Sequence, residues 1–198
     1  MDLSSIGALI AFICYAVATL LIVARLFHPD GPNLIKVLAF GCGAIVLHTI
    51  STSNFLYSSG TINFALPNVV SLVSLVITLT VTVIALRYKV NLLLPVVYGF
   101  AGLWQLIMTI LPHDQMTPLA TDKIALFSHV TLALIAYCVL IIAMLFAFQV
   151  AYINMKLKEK ALSAVSHLPP LMQVEAQLFT ILAAGTILLF VSQLTGAF

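Results

Sequence analysis

The sequence predicts an all-α fold, a polytopic transmembrane bundle of six helices with the amino terminus outside. Three observations carry that prediction. The chain holds six apolar stretches each long enough to cross a hydrocarbon core of about 30 Å as a helix. Hydrophobic residues make up 63% of it and charged residues only 7%, too little polar surface to solvate a water-soluble fold. Its basic residues gather on alternate connections. Inside lipid the backbone must satisfy its own hydrogen bonds, so each stretch is expected to be helical.

The first helix is placed at Leu3 to Ala24. Ala16-Val17-Ala18 resembles a signal-peptidase site, but the preceding segment carries Asp2 and no base. The apolar run also continues past those alanines to Arg25, as a retained span does. The second helix, Leu34 to Ser53, carries Gly41, Ala44 and His48 on one face. The third, Leu66 to Leu86, aligns Ser71, Ser74, Thr78 and Thr82 at helical spacing, a line suited to interhelical hydrogen bonds or to the polar groups of a ligand. The fourth runs from Leu92 to Leu111. The fifth, Ile124 to Ile153, is the longest and is expected to tilt or protrude. The sixth, Leu171 to Phe198, follows Pro169-Pro170, which suit a first turn, and places Glu175 near its amino end, where the helix dipole favours an acid.

Lys and Arg close to membrane ends are retained in the cytoplasm. Arg25, Lys36, Arg87, Lys89, Lys156, Lys158 and Lys160 all flank the odd-numbered loops, leaving only Lys123, beside Asp122, on an even one. Lys156 to Lys160 are therefore expected in the cytoplasm. The net charge of +2 reflects this topology and implies no nucleic-acid partner. No linker separates two units, so residues 1–198 are read as a single transmembrane domain. Cys14, Cys42 and Cys138 lie in three different spans without redox, zinc or covalent-haem spacing, and read as packing residues.

Two of the five histidines, His48 and His129, fall inside spans, where an ionisable side chain is a functional candidate by default. Helix 2 is expected to run outward and helix 5 inward, which places both rings towards the outer leaflet. Small residues continue each stripe: Ala44 and Gly41 beside His48, and Ala133, Ala136, Ala143 and Ala147 beside His129. Such a shelf could admit a flat macrocycle that takes an axial imidazole. It equally allows transmembrane helices to approach and the histidines to bond across them. Spacing leaves both readings open. His113, in the outer loop Pro112-His113-Asp114-Gln115-Met116, and His28 and His167 on the other side read as solvated residues. No catalytic set is present, and no acid lies deep in a span, which weighs against proton-coupled transport.

The run Ser128-His129-Val130-Thr131-Leu132-Ala133-Leu134-Ile135-Ala136-Tyr137, followed by Lys156-Leu157-Lys158, resembles the histidine-led helix and basic turn of the cytochrome c assembly protein family, which is CcsA-like and handles haem. Leu168-Pro169-Pro170-Leu171-Met172-Gln173-Val174-Glu175, Gly185 and Leu194-Thr195-Gly196-Ala197-Phe198 are similar to its YpjD/HemX-like inner-membrane subgroup. Leu47-His48 and Asn68-Val69-Val70-Ser71-Leu72 resemble it more loosely. The resemblance implies a multi-pass protein of the bacterial cytoplasmic (inner) membrane, bound haem b, other cytochrome c maturation components as partners, and further carboxy-terminal helices in full-length relatives. By position it makes His129 an iron ligand, whereas His48 matches a histidine of the subgroup alone and is the candidate for a second.

The sequence departs from the haem-handling members beyond the further helices just mentioned. They follow this segment with a tryptophan-rich outer loop and a second outer histidine, whereas Trp104 is the only tryptophan here. Two readings follow: a membrane protein that binds or conveys haem for cytochrome c biogenesis, and a non-catalytic scaffold or permease-like subunit that keeps the fold without haem.

Overall fold

A computed structural model describes residues 3–25, 32–58, 61–87, 92–111, 124–160 and 168–196. It is all-helical apart from one two-stranded ribbon. The helices are α1 (Leu3–Val23), α2 (Leu34–Leu56), α3 (Leu66–Arg87), α4 (Leu93–Ile110), α5 (Ile124–Lys158) and α6 (Leu171–Gly196). All six are long and apolar enough to cross a membrane, so this is a multi-pass membrane protein whose solvent is the bilayer.

Two helices outrun their expected ends for local reasons. α2 continues past Ser53 to Leu56, where the Tyr57 N–H caps it by donating to the Ser53 carbonyl. α5 continues past Ile153 to Lys158, and the Lys156 ammonium pairs with Glu159 at 2.7 Å just beyond. It stops at Lys160, whose left-handed φ of 56° breaks the helix. At 35 residues α5 is about 52 Å long, well beyond the hydrocarbon thickness, so it protrudes as expected.

The ribbon pairs Tyr57–Ser58 with Thr61–Ile62 in an antiparallel hairpin between α2 and α3. Asn68, in the first turn of α3, ties it down. Its Nδ2 donates to the carbonyls of Phe55 and Asn63, each at 3.1 Å, so one side chain satisfies backbone acceptors on both sides of the turn.

The chain packs as two compact units, Met1–Leu119 and Ala120–Phe198. In the first, α1 lies against α2 and α4 while α3 lies against the same two helices, which closes a four-helix ring. Glycines set the spacing within it, as lipid offers little hydrophobic drive and helices gain by close contact. A Cβ at Gly102 of α4 would come within 3.1 Å of the Tyr15 Cβ of α1, and one at Gly7 of α1 within 2.8 Å of the Ser51 hydroxyl of α2. The second unit is the pair α5 and α6. They approach closely at Gly185, where a Cβ would press on Leu140 and Val139.

Candidate functional site

His48 sits in the middle of the four-helix unit, with no exposed surface. Its Nδ1 meets the Tyr15 hydroxyl of α1 at 3.1 Å, and its Nε2 meets the Ser71 hydroxyl of α3 at 3.4 Å. Ser71 is a hub: its Oγ also lies 2.8 Å from the Thr52 hydroxyl of α2 and accepts from the Gln105 amide of α4 at 3.1 Å. Each of the four helices thus contributes to one buried polar network. The Tyr15 ring stands edge-on to the imidazole with centroids 5.8 Å apart, which fixes the imidazole plane as well as its nitrogens.

The hydroxyl line on α3 divides its work. Ser71 and Thr82 bond across helices, the latter to the Tyr98 hydroxyl at 3.0 Å, while Ser74, Thr78 and Thr82 itself donate to carbonyls of their own helix. Of the two reasons the sequence offered for this line, hydrogen bonding between helices accounts for Ser71 and Thr82. The small residues near His48 are also covered. Ala44 is fully buried, and the Tyr98 side chain fills the space over Gly41 that a Cβ would need. Gln105 keeps one buried atom, Oε1, without a partner among the described residues.

His129, on α5 in the second unit, is arranged differently. The half-buried ring directs Nδ1 at the backbone carbonyl of Ser192 on α6, 2.7 Å away. A carbonyl only accepts, so Nδ1 carries the proton and Nε2 is left with its lone pair. Nε2 has no hydrogen-bond partner among the described residues. The Ser192 hydroxyl returns the favour by donating to the His129 carbonyl at 3.1 Å. That carbonyl also accepts from the Thr195 hydroxyl at 2.7 Å, and the partial negative charge at the carboxy end of a helix suits it to an imidazole N–H as well. Gly196 closes the other side: a Cβ there would lie 2.6 Å from Nδ1 and 2.7 Å from Cε1.

Because the anchor is main-chain, Ser192→Ala is expected to leave the ring in place. It removes only the hydroxyl contacts, worth about 0.6 kcal/mol on average for such membrane hydrogen bonds. A histidine ring 15N spectrum of the variant that kept the Nδ1-protonated tautomer would bear this out, and one showing Nε2 protonation would refute it.

On the His129 stripe, Ala136 and Ala143 are buried, Ala133 is half-buried and Ala147 is exposed. Glu175 is exposed on α6. His28, His113 and His167 lie outside the described residues, as do Lys89 and Lys123. Cys14, Cys42 and Cys138 are all free thiols. Among the described residues no three His, Cys, Asp or Glu side chains converge as a metal site. Sequence reasoning passed over Tyr15, Gln105 and Ser192. Gln105 and Ser192 did carry a signal, as polar residues inside apolar runs.

A family model described as Cytochrome C assembly protein matches residues 31–198. The chain is similar to the inner membrane protein YpjD of Escherichia coli K12, at 36% identity over 193 residues, covering 96% of this chain and 73% of that protein. Proteins of the same name from E. coli O6:H1 and O157:H7 match to the same extent. No solved structure matches the chain.

Proposed function

The chain belongs to the cytochrome c assembly protein family, and from that premise we propose that it binds haem b, with the Nε2 atom of His129 as axial ligand, and conveys it for cytochrome c biogenesis. The bond from His129 Nδ1 to the Ser192 carbonyl carries this reading. Iron-ligating histidines characteristically donate their other ring N–H to a carbonyl or carboxylate, which fixes the tautomer and makes the free nitrogen a better donor. The donor set fits the group as well. The His129 imidazole is a nitrogen donor of the kind that haem iron takes as an axial ligand.

The residues around His129 have separable roles. Ser192 holds the proton on Nδ1, and Gly196 leaves room for the ring. Ala133, one turn away and half-buried, offers a small flat surface, whereas the methyl of Ala136 is covered. When bound, haem supplies an iron centre that can change oxidation state. Gly41 and Ala44 would contribute only if the Tyr98 side chain moved. His48 would become a second ligand only by releasing Tyr15 or Ser71, so His129 is the residue on which the reading rests. We further place the protein in the bacterial inner membrane with its amino terminus outside, in keeping with its relatives and its basic loops, and with other cytochrome c maturation components as partners.

Protein purified from haem-replete cells is expected to show a Soret band. The band should disappear in His129→Ala and persist in His48→Gln. A colourless wild type, or a band indifferent to His129→Ala, overturns the proposal. The rival reading, a scaffold without cofactor, draws on the saturated hydrogen bonding of His48. It expects mature c-type cytochromes to be unaffected by His129→Gln, whereas the haem reading expects their loss.

A further inference from the structure

At the end of the first unit where α1 finishes and α2 begins, a cavity of about 430 Å³ opens between the two helices. Its walls are of two kinds. Val17, Leu20, Leu21 and Ala24 make an apolar side along α1, and Arg25, Lys36 and Asn33 make a polar rim. The rim lies at the ends of two membrane spans, Ser4–Val23 and Leu34–Leu56, hence at the boundary between hydrocarbon and headgroups. Arg25 and Lys36 are exposed, and neither forms an ion pair among the described residues. Asn33 is already committed: its Oδ1 accepts from the Lys36 backbone N–H at 3.3 Å, which starts α2 and sets the direction of the Lys36 side chain's root.

We propose that this cavity is a binding site for an anionic phospholipid, whose phosphate is held by Arg25 and Lys36 and whose glycerol and first acyl methylenes lie along Val17, Leu20 and Leu21. Charge complementarity selects the occupant. Two exposed cations at the membrane boundary, without an ion-pair partner among the described residues, attract a phosphate that carries net negative charge and have no comparable preference for a zwitterionic head, where a cationic group cancels it. Size and lining then separate a lipid from a free anion. A volume of this order is that of a ligand pocket and exceeds the needs of a bare phosphate, and an apolar wall gains nothing from one. The planar guanidinium of Arg25 can bind two phosphate oxygens at once, and Lys36 can reach the same group from a flexible stem.

The test is a native mass-spectrometric titration of the full chain in mild detergent with dioleoyl phosphatidylglycerol, with dioleoyl phosphatidylcholine, and with phosphatidylglycerol in the presence of inorganic phosphate. The expected result is preferential retention of phosphatidylglycerol that millimolar phosphate does not displace. The double variant Arg25→Gln, Lys36→Gln is expected to lose that retention by about 30-fold, and either single variant by about 5-fold. Arg87→Gln with Lys158→Gln removes the same charge elsewhere and should retain the lipid as the wild type does. Equal retention of both lipids, undiminished retention by the pocket variant, equal losses in the two double variants, or full displacement by inorganic phosphate would each overturn the proposal. Unchanged Trp104 fluorescence in the pocket variant is the check that the first unit remains folded.

Discussion

Gly41→Leu is expected to unfold the four-helix unit under conditions in which Gly43→Leu, two residues along the same helix, is tolerated. The contrast follows from what each new side chain would meet. A Cβ at Gly41 runs into the hydroxyl and ring of Tyr98, whereas one at Gly43 meets nothing within 4 Å. Tyr98 has nowhere to retreat, being fully buried, with its ring tilted against Tyr15 at a centroid separation of 5.5 Å and its hydroxyl 3.0 Å from Thr82. Overpacking of this kind costs about 1 to 3 kcal/mol, and the displaced hydrogen bond adds up to about 1.7 kcal/mol. That sum is a large part of the stability of a typical domain, about 5 to 15 kcal/mol. The measurement has a local probe. Trp104 is the only tryptophan, and it lies in this unit, stacked on Phe100 and donating its indole N–H to the Pro67 carbonyl. Thermal unfolding followed by its fluorescence should shift strongly for Gly41→Leu. Equal shifts for both variants would show that Tyr98 does not confine position 41.

Gly196→Val is expected to uncouple His129 from its anchor, with a greater functional effect than Ser192→Ala although it removes no hydrogen-bonding group. Its Cβ would lie 2.6 to 3.1 Å from three ring atoms, closer than side chains pack, so the imidazole must swing away from the Ser192 carbonyl. Losing the outer partner of an iron-ligating histidine typically lowers affinity by about 10- to 100-fold. A haem titration of the purified variants should therefore rank Gly196→Val well below Ser192→Ala and the wild type. Equal affinities would mean that the ring's placement by α6 has no bearing on binding.

Much of this architecture is legible along the chain, because span length and composition are local properties. All six helices lie where the apolar runs put them, and the start of α2 at Leu34 and of α3 at Leu66 coincide with the expected boundaries. What escaped at the helix ends was set by local caps and pairings that hydropathy does not register. The extra turns of α2 depend on a cap at Tyr57 and on the ribbon beyond it, and the extra turns of α5 depend on residues able to stand in water.

The histidines show the same division. Their presence in spans is plain in the sequence, yet the difference between them depends on Tyr15 and Ser71 for one and a carbonyl of α6 for the other. The stripe under Gly41 looked open because a single helix was in view. The residue that fills it, Tyr98, is 57 positions further along and carries no spacing relation to it.

The tether that orients His129 is a peptide carbonyl, and this has a consequence for how such a protein can vary over generations. Nothing about an oxygen of the main chain is encoded by the codon at position 192, so that position can change among residues small enough for its buried place on the helix. Selection on the tether would instead be felt at Gly196, where only the absence of a side chain preserves it.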